Sequence, residues 1–133
     1  MKLTVRSEYA LLALVHLARD ESDRYISVDA IAQNQGIPPK FLEQIMLALK
    51  RAKYLRSTKG QHGGYRLAKP ADTITLAEII RLIDGALAPT ESVSLNFYEP
   101  TPIEKEQSLV QVFKEIRNFI SNKLETTTIA DVC

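Results

Sequence analysis

A chain of 133 residues can build one hydrophobic core with an appended arm. Charged residues make up 25% and apolar residues 45%, an ordinary balance for a soluble globular protein, and no apolar run approaches the ~20 residues that cross a bilayer. The net charge is +1, and the single cysteine, Cys133, excludes an internal disulfide framework or a multi-cysteine metal site within one chain.

The N-terminal stretch MKLTVRSEYALLALVHLARDES begins basic and apolar but runs into Arg19, Asp20, Glu21 and Ser22, with no small-residue cleavage site. It reads as a mature amphipathic helix of a cytoplasmic protein, spanning about Ser7 to Arg19. Leu11, Leu14, Leu17 and Ala18 line one side; Tyr9, Leu12 and Val15 line another, so the helix sits deep in a core. A short second helix follows, with Ser27 as N-cap, a stripe of Val28, Ile31 and Ala32, and Gly36 as its stop. Pro38 and Pro39 open a third helix, where a missing N–H costs little. Leu42, Ile45, Met46, Leu49 and Ala52 recur at three- and four-residue steps, leaving Lys40, Glu43, Gln44, Lys50 and Arg51 on the other face. Two helices about a tight glycine turn, the second with a polar N-terminal face, form a helix-turn-helix.

Tyr54–Thr58 and Gly64–Leu67 read as antiparallel strands joined by a glycine-rich turn. From Pro39 to Lys69 there are eight Lys or Arg against one acid, Glu43, a local charge of +7. Residues 1–38 carry −1 and residues 70–133 carry −5. A basic helix-and-wing suits duplex DNA; a merely solvated basic surface is the other reading. Thr75 and Glu78 form a capping box opening a fourth helix, striped by Leu76, Ile79, Ile80 and Ile83 and ended by Gly85. Residues 86–100 show no clean period and read as a loop. Thr101 and Glu104 form a second capping box, opening a helix of about 24 residues to Glu125, roughly 36 Å long. Its stripe is Leu109, Val112, Phe113, Ile116, Ile120 and Leu124, broadened by Val110 and Phe119. Such a stripe suits a second subunit packed like a coiled coil; folding back over its own domain is the alternative.

These segments resemble the Rrf-two family of bacterial transcription regulators. The likeness lies in MKLTVRSEYALLALVHLA, IPPKFLEQIMLALKRAKYLRSTKGQHGGYRLAKP, ITLAEIIRLIDG and SLVQVFKEIRNFISNKLETTTIADV, nearly the whole chain. It implies a mainly α fold: a winged helix-turn-helix DNA-binding domain over 1–85, a loop or sensor region over 86–100, and a long dimerisation helix with a C-terminal segment over 101–133. It implies a homodimer on palindromic double-stranded promoter DNA, acting as a repressor. Pro39, Lys40, Phe41, Glu43 and Gln44 would be the recognition group. Lys59, Gly60, Gln61 and His62 would form the wing tip in the minor groove, and Thr4, Ser7 and Tyr9 would touch the backbone. Gln44 can pair bidentately with adenine, and Glu43 can accept from a cytosine amino group; a salt bridge from Glu43 to Lys40 or Lys50 is the alternative. Lys59 suits the negative potential of a narrow minor groove.

The chain departs from sensing members of that family in one respect. Their iron–sulfur clusters use three cysteines in the loop before the long helix, whereas this loop region offers Ser92, Ser94 and Ser108. No cofactor and no metal are expected. The switch is then a small molecule between the loop and the long helix, or a protein docking on the acidic C-terminal half. No P-loop, HExxH motif or nucleophile–base pairing emerges, so an enzyme is not expected. A winged-helix protein–protein module without DNA binding is the competing class.

Overall fold

A computed structural model describes all 133 residues. Six helices and a two-stranded sheet follow one another: α1 (Val5–Arg19), α2 (Val28–Gln35), α3 (Pro39–Arg51), β1 (Leu55–Thr58), β2 (Gly64–Leu67), α4 (Leu76–Asp84), α5 (Gln107–Glu125) and α6 (Ile129–Val132). This is the expected mainly helical winged helix-turn-helix with a long C-terminal helix.

Helix α1 starts two residues earlier than its apolar pattern suggests, because the Thr4 hydroxyl accepts from the Ser7 N–H and caps it. Ser27 caps α2 in the same way, through the Ala30 N–H. Gly36 closes α2 in the left-handed region, at φ 68°, where a Cβ would be strained. That turn sets α3 across α2. Ala10, Leu14, Ile31, Leu42, Ile45, Met46 and Leu49 are fully buried in one shared core. The helix-turn-helix is thus held by the stripes visible in its sequence.

Strands β1 and β2 pair Leu55 with Leu67, Arg56 with Arg66, Ser57 with Tyr65 and Thr58 with Gly64. Tyr54 stands just before the sheet, not in it. Its N–H bonds back to the Leu49 carbonyl after Lys53 turns at φ 70°. The wing is also pinned from outside: Ile26 and Tyr65 exchange both backbone hydrogen bonds, at 2.9 and 2.8 Å. The chains pass so closely that a Cβ at Gly64 would overlap the Ile26 carbonyl.

The C-terminal half departs from expectation, or adds to it, in three places. Residues 86–100 form the expected loop, but its first part is packed while residues 95–100 are exposed. A 3₁₀ turn spans Glu91–Val93, and Leu87, Ala88, Ser92, Val93 and Ser94 are buried. The Thr101 capping box does not form. The Thr101 hydroxyl donates instead to Ser92 Oγ at 2.6 Å, and Pro102–Lys105 makes a 3₁₀ turn ended by extended Glu106. The long helix therefore begins at Gln107 and has 19 residues, about 28 Å. Last, the chain returns: Leu76 N–H bonds to the Thr127 carbonyl, Ile129 N–H bonds to the Ile74 carbonyl, and Ile129 is fully buried in the main core. Thr128 and Asp131 form the capping box that starts α6.

Helix α5 divides its apolar residues between two surfaces. Val110 and Phe113 pack on Ala88 and Val93; Ile120 and Leu124 pack beside Ala77, Ile80 and Leu87. Leu109, Val112, Ile116 and Phe119 stay exposed, Phe119 by 75%.

Candidate nucleic-acid interface

The first turns of α3 supply the polar face. Pro39, Lys40, Phe41, Glu43 and Gln44 are all exposed, while Leu42, Ile45 and Met46 anchor the helix beneath them. Pro39 occupies the first helical position, so the front of the helix carries one orphan N–H fewer. Phe41 is 40% exposed and rests edge-on against Tyr9, ring centroids 5.5 Å apart. Tyr9 therefore has a packing role beside the recognition face.

Glu43 forms no salt bridge with Lys40 or Lys50; the two ion pairs of the chain are Arg66–Asp23 and Arg81–Glu125. Its charge is felt across at Tyr65 on β2, whose phenol is pushed up first by burial and then by Glu43. Helix α3 and the wing are anchored on one core, where Leu42, Ile45, Met46 and Leu49 of α3 pack with Leu55, Tyr65 and Leu67 of the two strands.

At the wing turn Lys59, Gly60, Gln61 and His62 are exposed. Gly60 has φ 101°, and its carbonyl accepts from the Gly63 N–H at 3.0 Å. The turn is closed by backbone geometry, leaving its side chains free.

The three residues at the start of α1 fare differently. Thr4 is exposed, but its N–H and hydroxyl both donate to the Asp84 carboxylate. Ser7 is fully buried; its hydroxyl makes no well-formed hydrogen bond, although it lies close enough to Asp84 to help lower that carboxyl. That burial leaves Ser7 without exposed surface in the single chain, so Thr4 and Tyr9 are the more accessible members of this group. Asp84 was not visible as a partner in the sequence, since it lies 80 residues from Thr4. Burial pushes its carboxyl up, but the Thr4 hydrogen bonds outweigh this and hold it below the usual range.

An exposed helix face beside a cationic wing, on a helix-turn-helix core, defines a winged-helix DNA-binding protein. The family model for Rrf2, described as an iron-dependent transcriptional regulator, matches residues 3–133, and the chain belongs to the Rrf2 family. It is 37% identical over 135 residues to a chain of Mycobacterium tuberculosis named for an HTH-type transcriptional regulator, covering 99% of this chain and 81% of that one. Among solved structures it is similar to CymR, the global cysteine regulator of B. subtilis, with TM-score 0.80, 28% identity and 99% and 95% of the two chains covered. It is also similar to T. potens IscR, with TM-score 0.71, 26% identity and 99% and 85% covered. The chain is accordingly a DNA-binding transcriptional regulator and not an enzyme. No helix is long and apolar enough to cross a membrane.

The family description raises the question of iron. The donors here do not fit an iron–sulfur cluster. The one thiol, Cys133, is exposed at the end of α6, and no three His, Cys, Asp or Glu side chains are grouped to hold a metal. In the loop before α5, Ser92 Oγ accepts from Thr101, and Ser94 Oγ accepts from the Phe97 N–H at 2.9 Å. Neutral hydroxyls engaged in this way cannot replace thiolates.

Proposed function

We propose that two copies of this chain bind a palindromic promoter site as a homodimer and act as a repressor, with no iron–sulfur cluster. The observation carrying this is the exposure of Lys40, Glu43, Gln44 and Lys59 on α3 and the wing, two elements anchored on the same core. A dimer seated on a promoter excludes the transcription machinery by volume alone, which is the simplest mode of action.

Pro39, Lys40, Phe41, Glu43 and Gln44 enter the major groove. Gln44 suits adenine, and Glu43, free of a salt bridge, suits a cytosine amino group. Lys59, Gly60, Gln61 and His62 enter the minor groove. Thr4 and Tyr9 flank the recognition helix from α1. Residues 1–85 are the reader, 86–100 the sensor region and 101–133 the pairing arm.

Pairing uses the exposed row on α5, Leu109, Val112, Ile116 and Phe119, spaced at three and four residues as in a coiled-coil seam. Phe113, Ile120 and Leu124, half-buried against their own chain, border that seam. The effector is a small molecule or a protein acting on the loop beside α5. Selection of bound fragments from random duplex DNA tests the whole reading. An inverted repeat with half-sites about one helical turn apart is expected; recovery of unrelated sequences with no twofold symmetry contradicts it.

A further inference from the structure

We propose that the outer face of the wing carries a second cationic groove, centred on Arg24 and Arg56, that grips the far sugar–phosphate strand of the minor groove entered by the wing tip. The inference rests on the wing being the minor-groove element.

The strand register is the starting point. Leu55, Leu67, Ser57 and Tyr65 share one face of the sheet, and Leu55, Tyr65 and Leu67 pack on the core. Arg56 and Arg66 are directly paired on the opposite face. Like charges facing each other across a ladder are destabilising, so the pair needs a counter-charge. Only Arg66 has one within the chain. Its Nη1 donates to both the carboxylate and the carbonyl of Asp23 at 3.0 Å, and its guanidinium lies 4.8 Å from the Tyr25 ring centre. Asp23 sits at φ 59°, and its exposed carboxylate pairs with Arg66 through Oδ1. Lys69 is likewise stacked, 4.4 Å over Tyr54. Arg56 and Arg24 are exposed and form no ion pair or hydrogen bond.

These four cations line a groove of about 420 Å³, together with the carboxylates of Asp20 and Asp23. Asp20 accepts from the Ser22 N–H and lies near Arg24, offsetting part of that charge. Four cations against two carboxylates still leave the groove positive. It runs into a second cleft of about 640 Å³, sharing Asp20, Asp23, Arg24 and Ile26, which ends at Gln61, His62 and Gly63 in the wing turn. The cationic groove thus adjoins a cleft that reaches the wing tip, in which Arg24 faces Asp20 and Asp23; the excess positive charge lies in the groove itself, at Arg56, Arg66 and Lys69.

A strand of DNA is the occupant this shape and charge favour. The minor groove is bounded by two phosphate strands, so a wing inserted between them meets one on each face. The inner face adjoins α3 and Glu43. The outer face offers arginines from the α1–α2 connection and from β1, set along the wing, as suits an extended polyanion.

Arg56→Gln and Arg24→Gln, singly and combined, test this in salt-dependent titrations against mixed-sequence duplex, with hydroxyl-radical cleavage of a selected operator and Lys59→Ala as reference. Each substitution should lower the slope of log K against log salt by about 0.9 per subunit, roughly 1.8 for the dimer, additively in the double variant. Protection should be lost on the outer strand flanking each half-site, with base preference unchanged. Arg56→Lys should restore most of the slope, which a packing role would not require. Wild-type slope and protection in both variants overturn the proposal. If Lys59→Ala flattens the slope and the arginine variants do not, the wing reading stands and only the groove falls. Saturable inorganic phosphate binding that is lost in Arg56→Gln, with DNA binding untouched, would assign the groove to a small anion and also overturn it.

Discussion

On the proposed reading, Glu43 carries base selectivity in a single side chain. It stands exposed and without an ion pair in the most basic stretch of the chain. Beside phosphates a carboxylate is repelled unless it accepts a hydrogen bond from a base amino group. Glu43→Ala should relax preference at one position per half-site while strengthening binding to unrelated duplex. Selected DNA with an unchanged motif would remove its reading role. Asp84 is a second case, joining the start of α1 to the end of α4 through Thr4. Its folded pKa is lowered, so its contribution is full above the unfolded value near ~4 and fades as pH falls through the folded one. Asp84→Asn should cost stability at neutral pH, with the gap to wild type narrowing below about pH 4 in denaturant titrations. A gap constant with pH would mean the charge is not what matters. Local caps such as Ser27 and the Thr75–Glu78 box could be read from spacing, because each partner lies three residues away. The Thr4–Asp84 link could not, since nothing in either neighbourhood marks the other.

Elements were readable where one stripe meets one core. Helix α3 has a clean stripe and formed as expected, with the glycine turn before it fixing its crossing of α2. Helix α5 has too many apolar residues for a single face, and its sequence could not say which serve the chain's own loop. The false start at Thr101 arose because its hydroxyl found Ser92 rather than its own helix. The C-terminal return was missed, although Thr128 and Asp131 have capping-box spacing; the core contact that makes α6 matter lies more than 50 residues back, at Ile74. Ile129→Ala should destabilise the fold by about 2–5 kcal/mol in guanidinium unfolding, as expected for a fully buried isoleucine. A change within ~0.5 kcal/mol would mean α6 is a loose appendage. Ile116→Asp, on an exposed position of α5, should leave the monomer folded but shift sedimentation to the monomer. A persisting dimer would relocate the pairing surface.

At the scale of the whole molecule, charge is segregated: +7 over residues 39–69 and −5 over residues 70–133. The positive part forms the reader and wing; the negative part forms α4, the packed loop and α5. Two such chains joined through α5 would present two basic surfaces to one duplex and turn their acidic parts away from it. Binding should then be governed by counterion release. Lys59→Ala should weaken binding across most sequences and flatten the salt dependence by about one phosphate per subunit. The most direct test is a titration of the wild-type protein against duplex DNA at two salt concentrations. A dimer making about 6–10 phosphate contacts should lose roughly 10³–10⁵ in affinity between ~50 and ~200 mM salt. Absence of saturable binding, or an affinity indifferent to salt, would contradict a regulator that works by gripping DNA through this surface.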